Sequence, residues 1–143
     1  MCRVIDSFSG DFRWLSNFAP APVMLDGVEY PTTEHAYQAA KTTDDAEREA
    51  VRQCATPGRA KRMGREITMR FDWDDVKEAV MLDLTRQKYA LPEYRERLLA
   101  TGEREIVEGN TWGDTFWGVC NGVGKNKLGR ILMQVRDEIR RTA

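Results

Sequence analysis

Two short stretches hold the residues able to do chemistry. In T-W-G-D-T-F-W-G, residues 111–118, Asp114 stands between Trp112 and Trp117, with Gly113 and Gly118 alongside. A charged carboxylate among apolar rings costs several kcal/mol unless it is paired, or it stays protonated with a raised pKa. Active sites use that arrangement to make acids and bases. The indoles can stack a planar ring, as aromatic side chains do with nucleobases, or simply pack in the core. In T-T-E-H-A-Y-Q-A-A-K-T, residues 32–42, a helical rotation of ~100° per residue puts Glu34, Gln38 and Lys41 on one stripe. The plain reading is a solvated polar face. The sharper one is an acid, an amide and an amine converging on a ligand, with Ala36, Ala39 and Ala40 letting the helix be gripped elsewhere. A desolvated lysine there is either a neutral nucleophile or, beside a carboxylate, an ammonium that holds an oxyanion.

Two more segments bear on anions. A-T-P-G-R-A-K-R-M-G-R, residues 55–65, is a capped helix start with Arg59, Lys61, Arg62 and Arg65, suited to a phosphate or to an ordinary basic face. N-G-V-G-K-N-K-L-G, residues 121–129, is glycine-rich and runs into a helix at Asn126. It fits neither phosphate-loop pattern: Gly118 to Gly124 is one residue too long, Asn126 stands where a hydroxyl belongs, and no third glycine follows Gly124 at the dinucleotide spacing.

The elements that must position these residues read as mainly helical, with a small β element near the start. Residues 2–8 and 103–108 have the pattern of brief strands. Asp26-Gly27 turns a hairpin over 23–30, and 9–22 reads as an aromatic loop. Helices are expected from Thr32 or Thr33 to about Lys41, from Asp44 or Asp45 to about Cys54, and from Thr56-Pro57 onward. Further helices span 73–89, with Val76, Val80, Met81 and Leu84 at core spacing, and 93–100, ended by Gly102. The last spans 128–140, with Leu128, Ile131, Leu132, Val135 and Ile139 on one face. The 143 residues suit one domain, 1–143. A net charge of −1 argues against attachment to nucleic acid through a broad basic field. No apolar run approaches the ~18 residues of a membrane helix, and the N-terminus lacks a signal-peptide core. Cys2, Cys54 and Cys120 are odd in number and widely spaced, as reduced thiols of a cytoplasmic protein would be. With one histidine, a metal site is not expected.

Taken in order, L-S-N-F (15–18), D-G-V-E-Y-P-T-T-E-H-A-Y-Q-A-A-K (26–41), A-T-P-G-R-A-K-R-M-G-R (55–65), W-G-D-T-F-W-G (112–118) and G-V-G-K-N-K-L-G-R-I-L-M (122–133) resemble the NADAR, or YbiA-like, family across nearly the whole chain. The resemblance implies a compact, mostly helical domain without metal or cofactor. It also implies N-glycosidase activity on a ribose C1–nitrogen bond. Two substrate classes come with it: phosphoribosylamino-pyrimidine intermediates of riboflavin synthesis, and ADP-ribose on guanine in nucleic acid. By position it implies catalytic roles for Glu34, Lys41 and Asp114, with Lys41 attacking the sugar carbon to form a Schiff base. Asn17, Phe18, Gln38, Trp112, Trp117 and Asn126 would bind substrate, and Lys61 and Arg62 would take its phosphates. The chemistry suits this set, because an oxocarbenium-like centre needs a carboxylate beside it and an acid for the leaving base. The alternative is a non-catalytic module that binds ADP-ribose or a nucleotide. No membrane partner is expected, and the sequence names no partner toxin.

Overall fold

The computed structural model describes residues 3–142. Its backbone gathers into two compact units: Asn17–Lys88, and the described residues up to Ser16 together with those from Tyr89 onward.

The 17–88 unit opens with a hairpin of β1 (Pro20–Leu25) and β2 (Val28–Thr32), antiparallel about Asp26 and Gly27. Both turn residues have positive φ, 48° and 82°, as the tight hairpin turn requires. The hairpin thus reaches three residues earlier than the 23–30 expected. Pro20 and Pro22 fit because the register slips between Pro20 and Val23, and because a proline without an N–H is tolerated at a sheet edge. Gln87 clasps the outer edge, accepting from Met24 N–H at 2.6 Å and donating to its carbonyl at 2.9 Å.

Thr32 then caps α1 (Thr33–Ala40), its hydroxyl oxygen accepting from His35 N–H at 3.0 Å. The His35 ring is committed at both nitrogens. Nε2 lies 3.0 Å from the Cys54 carbonyl and must donate to it, so Nδ1 accepts from the Thr32 hydroxyl at 2.8 Å. Every residue of α1 is buried. The hairpin, α2 (Asp45–Arg52, capped by Asp44), α3 (Pro57–Met63, capped by Thr56) and α4 (Trp73–Lys88) all pack on it. Trp73, Met81 and Leu84 are the buried apolar side chains of α4, whereas Val76 and Val80 are half-buried.

In the other unit, a 3₁₀ helix (Gly10–Leu15) replaces the first half of the expected aromatic loop. The strands expected over 2–8 and 103–108 reduce to one bridge, Ile5 to Ile106; position 2 lies outside the described residues. Among the described residues there, only this pair is both apolar and fully buried. α5 (Pro92–Ala100) packs on α6 (Lys127–Thr142), which buries Leu128, Ile131, Leu132 and Val135, while Ile139 is half-buried. Arg136 joins that core because its guanidinium donates to the Thr101 hydroxyl at 2.9 Å. Two-residue strands β3 (Gly109–Asn110) and β4 (Val119–Cys120) pair in parallel and hold the tryptophan loop between them. Mainly helical with a small β element, the fold is the one expected.

Candidate active site

The E-x-x-x-Q-x-x-K stripe lies on α1 but is not solvated. Glu34 is 8% exposed and Gln38 4%. Glu34 N–H donates to the Asn17 carbonyl at 3.1 Å, which seats the L-S-N-F segment at the start of the helix. Gln38 Nε2 donates to Glu34 Oε2 at 2.5 Å. Its Oε1 has no hydrogen-bond partner among the described residues and presses on Gly64, where an added Cβ would lie 1.9 Å away. Asn17 Nδ2 reaches Met81 Sδ at 3.6 Å, and Phe18 is half-buried beside it in the chain.

Lys41 closes α1, half-buried, with Nζ 5.6 Å from the centre of the Tyr37 ring. Burial pushes its amine below the ordinary lysine value. Glu34 opposes that shift, and the positive charges of Lys61, Arg65 and Lys77 reinforce it. A lysine desolvated beside other cations is the arrangement that frees an amine for attack.

α3 divides its basic residues between two faces. Lys61 on α3 and Arg65 just beyond its end both act on Lys41. Arg62 instead lines a separate groove of about 560 Å³ with Ala50, Cys54, Arg59 and Met63. The expected Lys61–Arg62 pair is therefore split. Lys77, from α4, was not singled out in the sequence, because only the packing of α4 on α1 brings it near Lys41.

The remaining expected site residues belong to the other unit. Asp114 is half-buried, and its Oδ1 accepts from Phe116 N–H at 3.0 Å and Trp117 N–H at 2.9 Å. Asn110 braces the same turn, accepting from Asp114 N–H at 3.0 Å and donating to its carbonyl at 2.9 Å. The burial cost that marked this carboxylate is thus met by backbone donors. Trp112 is 62% exposed, and Trp117 meets Phe116 edge-on with ring centres 4.9 Å apart. Asn126 has φ of 52°; its side chain accepts from Glu108 N–H at 2.9 Å and donates to the Ile106 carbonyl at 3.0 Å. Gly118 and Gly124 are needed for backbone approach within the loop itself. A Cβ on Gly124 would sit 2.1 Å from the Gly118 carbonyl oxygen, and one on Gly118 2.1 Å from that of Glu108.

The description of the NADAR domain matches residues 7–140. The chain belongs to the NADAR family. It is 42% identical over 137 residues to N-glycosidase YbiA of Escherichia coli (strain K12), covering 93% of this chain and 85% of that protein. To Riboflavin biosynthesis protein VVA0006 of Vibrio vulnificus it is 38% identical over 134 residues, 91% of this chain and 36% of that larger protein. The NMR structure of Escherichia coli YbiA matches with a TM-score of 0.86 at 40% identity, covering 99% of this chain and 88% of that one. A single NADAR match spans both compact units. Among the described residues, no group of histidine, cysteine or acidic side chains gathers as metal ligands would, and no helix is long and apolar enough to cross a membrane.

Proposed function

We propose that this NADAR protein is an N-glycosidase that hydrolyses the bond between ribose C1 and a base nitrogen in a phosphorylated ribosyl compound, with Lys41 as nucleophile. The observation that carries the proposal is the half-buried Lys41 amine, flanked by Glu34 and acted on by Lys61, Arg65 and Lys77. A neutral Nζ attacks C1 as the C1–N bond breaks, and the departing base nitrogen takes a proton from Glu34. The nitrogen now on C1 returns a proton to Glu34; its lone pair opens the sugar ring, and the ring oxygen takes that proton from Glu34, leaving a protonated imine. Water adds to the resulting imine, and Lys41 leaves as the amine. The net change is one water consumed, with free base and free sugar released. The Gln38 amide, donating to Glu34 Oε2, fixes the direction of that carboxyl group. The three cations supply a field for the substrate's phosphate and add to burial in lowering the amine's proton affinity.

The phosphoribosylamino-pyrimidine class is favoured by the name of the Vibrio vulnificus relative, a riboflavin biosynthesis protein. ADP-ribose on guanine offers the same ribose, phosphate and planar ring, and is the second substrate to try. Purified protein is incubated with each compound and released base is followed by mass spectrometry, with Lys41→Ala in parallel. Release from at least one compound, lost in the variant, is expected. Tight binding of ADP-ribose with no base released from either would overturn the proposal in favour of a binding module.

A further inference from the structure

Lys41 and Thr42 lie just past α1, where carbonyls have no partner in the helix's own ladder. Both are held from outside it. Arg70 N–H donates to the Lys41 carbonyl at 2.7 Å, and Arg48 Nε donates to the Thr42 carbonyl at 2.8 Å. The segment that brings Arg70 there is tied by one carboxylate on α2. Glu47 accepts from the Thr42 hydroxyl at 2.7 Å, from Thr68 N–H at 3.1 Å to each oxygen, and from the Thr68 hydroxyl at 3.3 Å. One side chain thus joins the residue after Lys41 to the loop whose N–H grips the Lys41 carbonyl. Thr42 is itself 1% exposed, while Glu47 is half-buried and Thr68 lies at the surface.

We propose that Glu47 is a positioning residue for Lys41: its carboxylate locks the Thr42–Thr68 junction, which keeps the lysine backbone, and so its amine, in the half-buried place where attack is possible. The inference rests on the reading of Lys41 as nucleophile. Glu47 acts through this frame. The groups whose charge or ring faces the amine are Glu34 and Tyr37 on α1, Lys61 and Arg65 from the α3 region, and Lys77 on α4. Loosening the frame lets the amine reach water and escape those cations, so it regains the proton affinity of an ordinary lysine.

The test needs no turnover. Native protein, Glu47→Ala and Glu47→Gln are labelled with trinitrobenzenesulfonate across neutral to alkaline pH, and modification at Lys41 is read by peptide mass spectrometry. Native Lys41 is expected to react at lower pH than the exposed lysines. In Glu47→Ala its midpoint rises by about one pH unit, a tenfold slower reaction on the acid side. Glu47→Gln, which keeps a carbonyl acceptor, lies between. Where Glu47→Ala fails to fold, Thr42→Val removes one tie at nearly constant shape and is expected to shift the midpoint the same way. An unchanged Lys41 profile in a folded variant overturns the proposal. On a hydrolysed substrate, kcat falls in Glu47→Ala while KM holds. If no substrate is hydrolysed at all, the N-glycosidase reading fails while the labelling result still decides the role of Glu47.

Discussion

At the scale of the residue, the negative and positive charges acting on Lys41 pull in opposite directions, and this gives a signed prediction. Glu34 holds the lysine pKa up against burial, so removing its charge lowers that pKa further. Glu34→Gln is expected to move the acid limb of the kcat/KM profile, which reports the free amine, to lower pH. The maximal rate should fall by about 10²–10⁴, as loss of a general acid–base group does. Lys61→Ala and Arg65→Ala should move the same limb to higher pH. A pH–rate series on the three variants checks both signs. The stripe of Glu34, Gln38 and Lys41 was legible in the sequence because helical periodicity is a local property. Lys77 and Glu47 were not, since their relation to Lys41 depends on how α4 and α2 pack on α1.

At the scale of the element, close approach sets the tolerances. Gly64 follows α3 and abuts the Gln38 side chain, so Gly64→Ala must push Gln38 away and free Glu34. A loss of about 1–3 kcal/mol is expected by urea unfolding, as overpacking costs, together with lower activity. A Gly64→Ala protein of native stability and rate would contradict the packing described. In the tryptophan loop, Asp114 has a clear structural duty, because Oδ1 receives two backbone N–H groups. Asp114→Asn keeps that acceptor and Asp114→Ala removes it. If the turn is its whole role, only the alanine variant loses stability and activity; a folded but inactive Asp114→Asn assigns it the catalytic part that the family resemblance implies. The capped helices and the Asp26-Gly27 hairpin were readable from adjacent residues. The strands over 2–8 and 103–108 were not, because the two segments meet at a single bridge between residues far apart in the chain, which no local pattern specifies.

At the scale of the whole molecule, Lys88 at the end of α4 links folding to pH. It is buried, and desolvation brings its pKa from 10.5 to about 7. Between those values the unfolded chain binds more protons than the folded one. Stability should therefore rise with pH in that window, by up to about 1.4 kcal/mol per pH unit from this group. The rise ends near pH 10, where burial keeps Tyr89 protonated in the fold while the unfolded chain loses that proton. Urea unfolding from pH 7 to 10 checks the slope, and Lys88→Met should flatten it. The helical class was legible in the periodicity of 73–89 and 128–140, yet nothing in composition foretold a fully buried lysine.

The central claim is that Lys41 becomes covalently bound to the sugar. Its most direct test is reduction with borohydride during turnover of a phosphoribosyl or ADP-ribosyl substrate, followed by mass mapping of the protein. A stable sugar adduct is expected on the peptide that contains Lys41, absent without substrate and absent in Lys41→Ala. Full turnover with no adduct, or undiminished hydrolysis by Lys41→Ala, would contradict it.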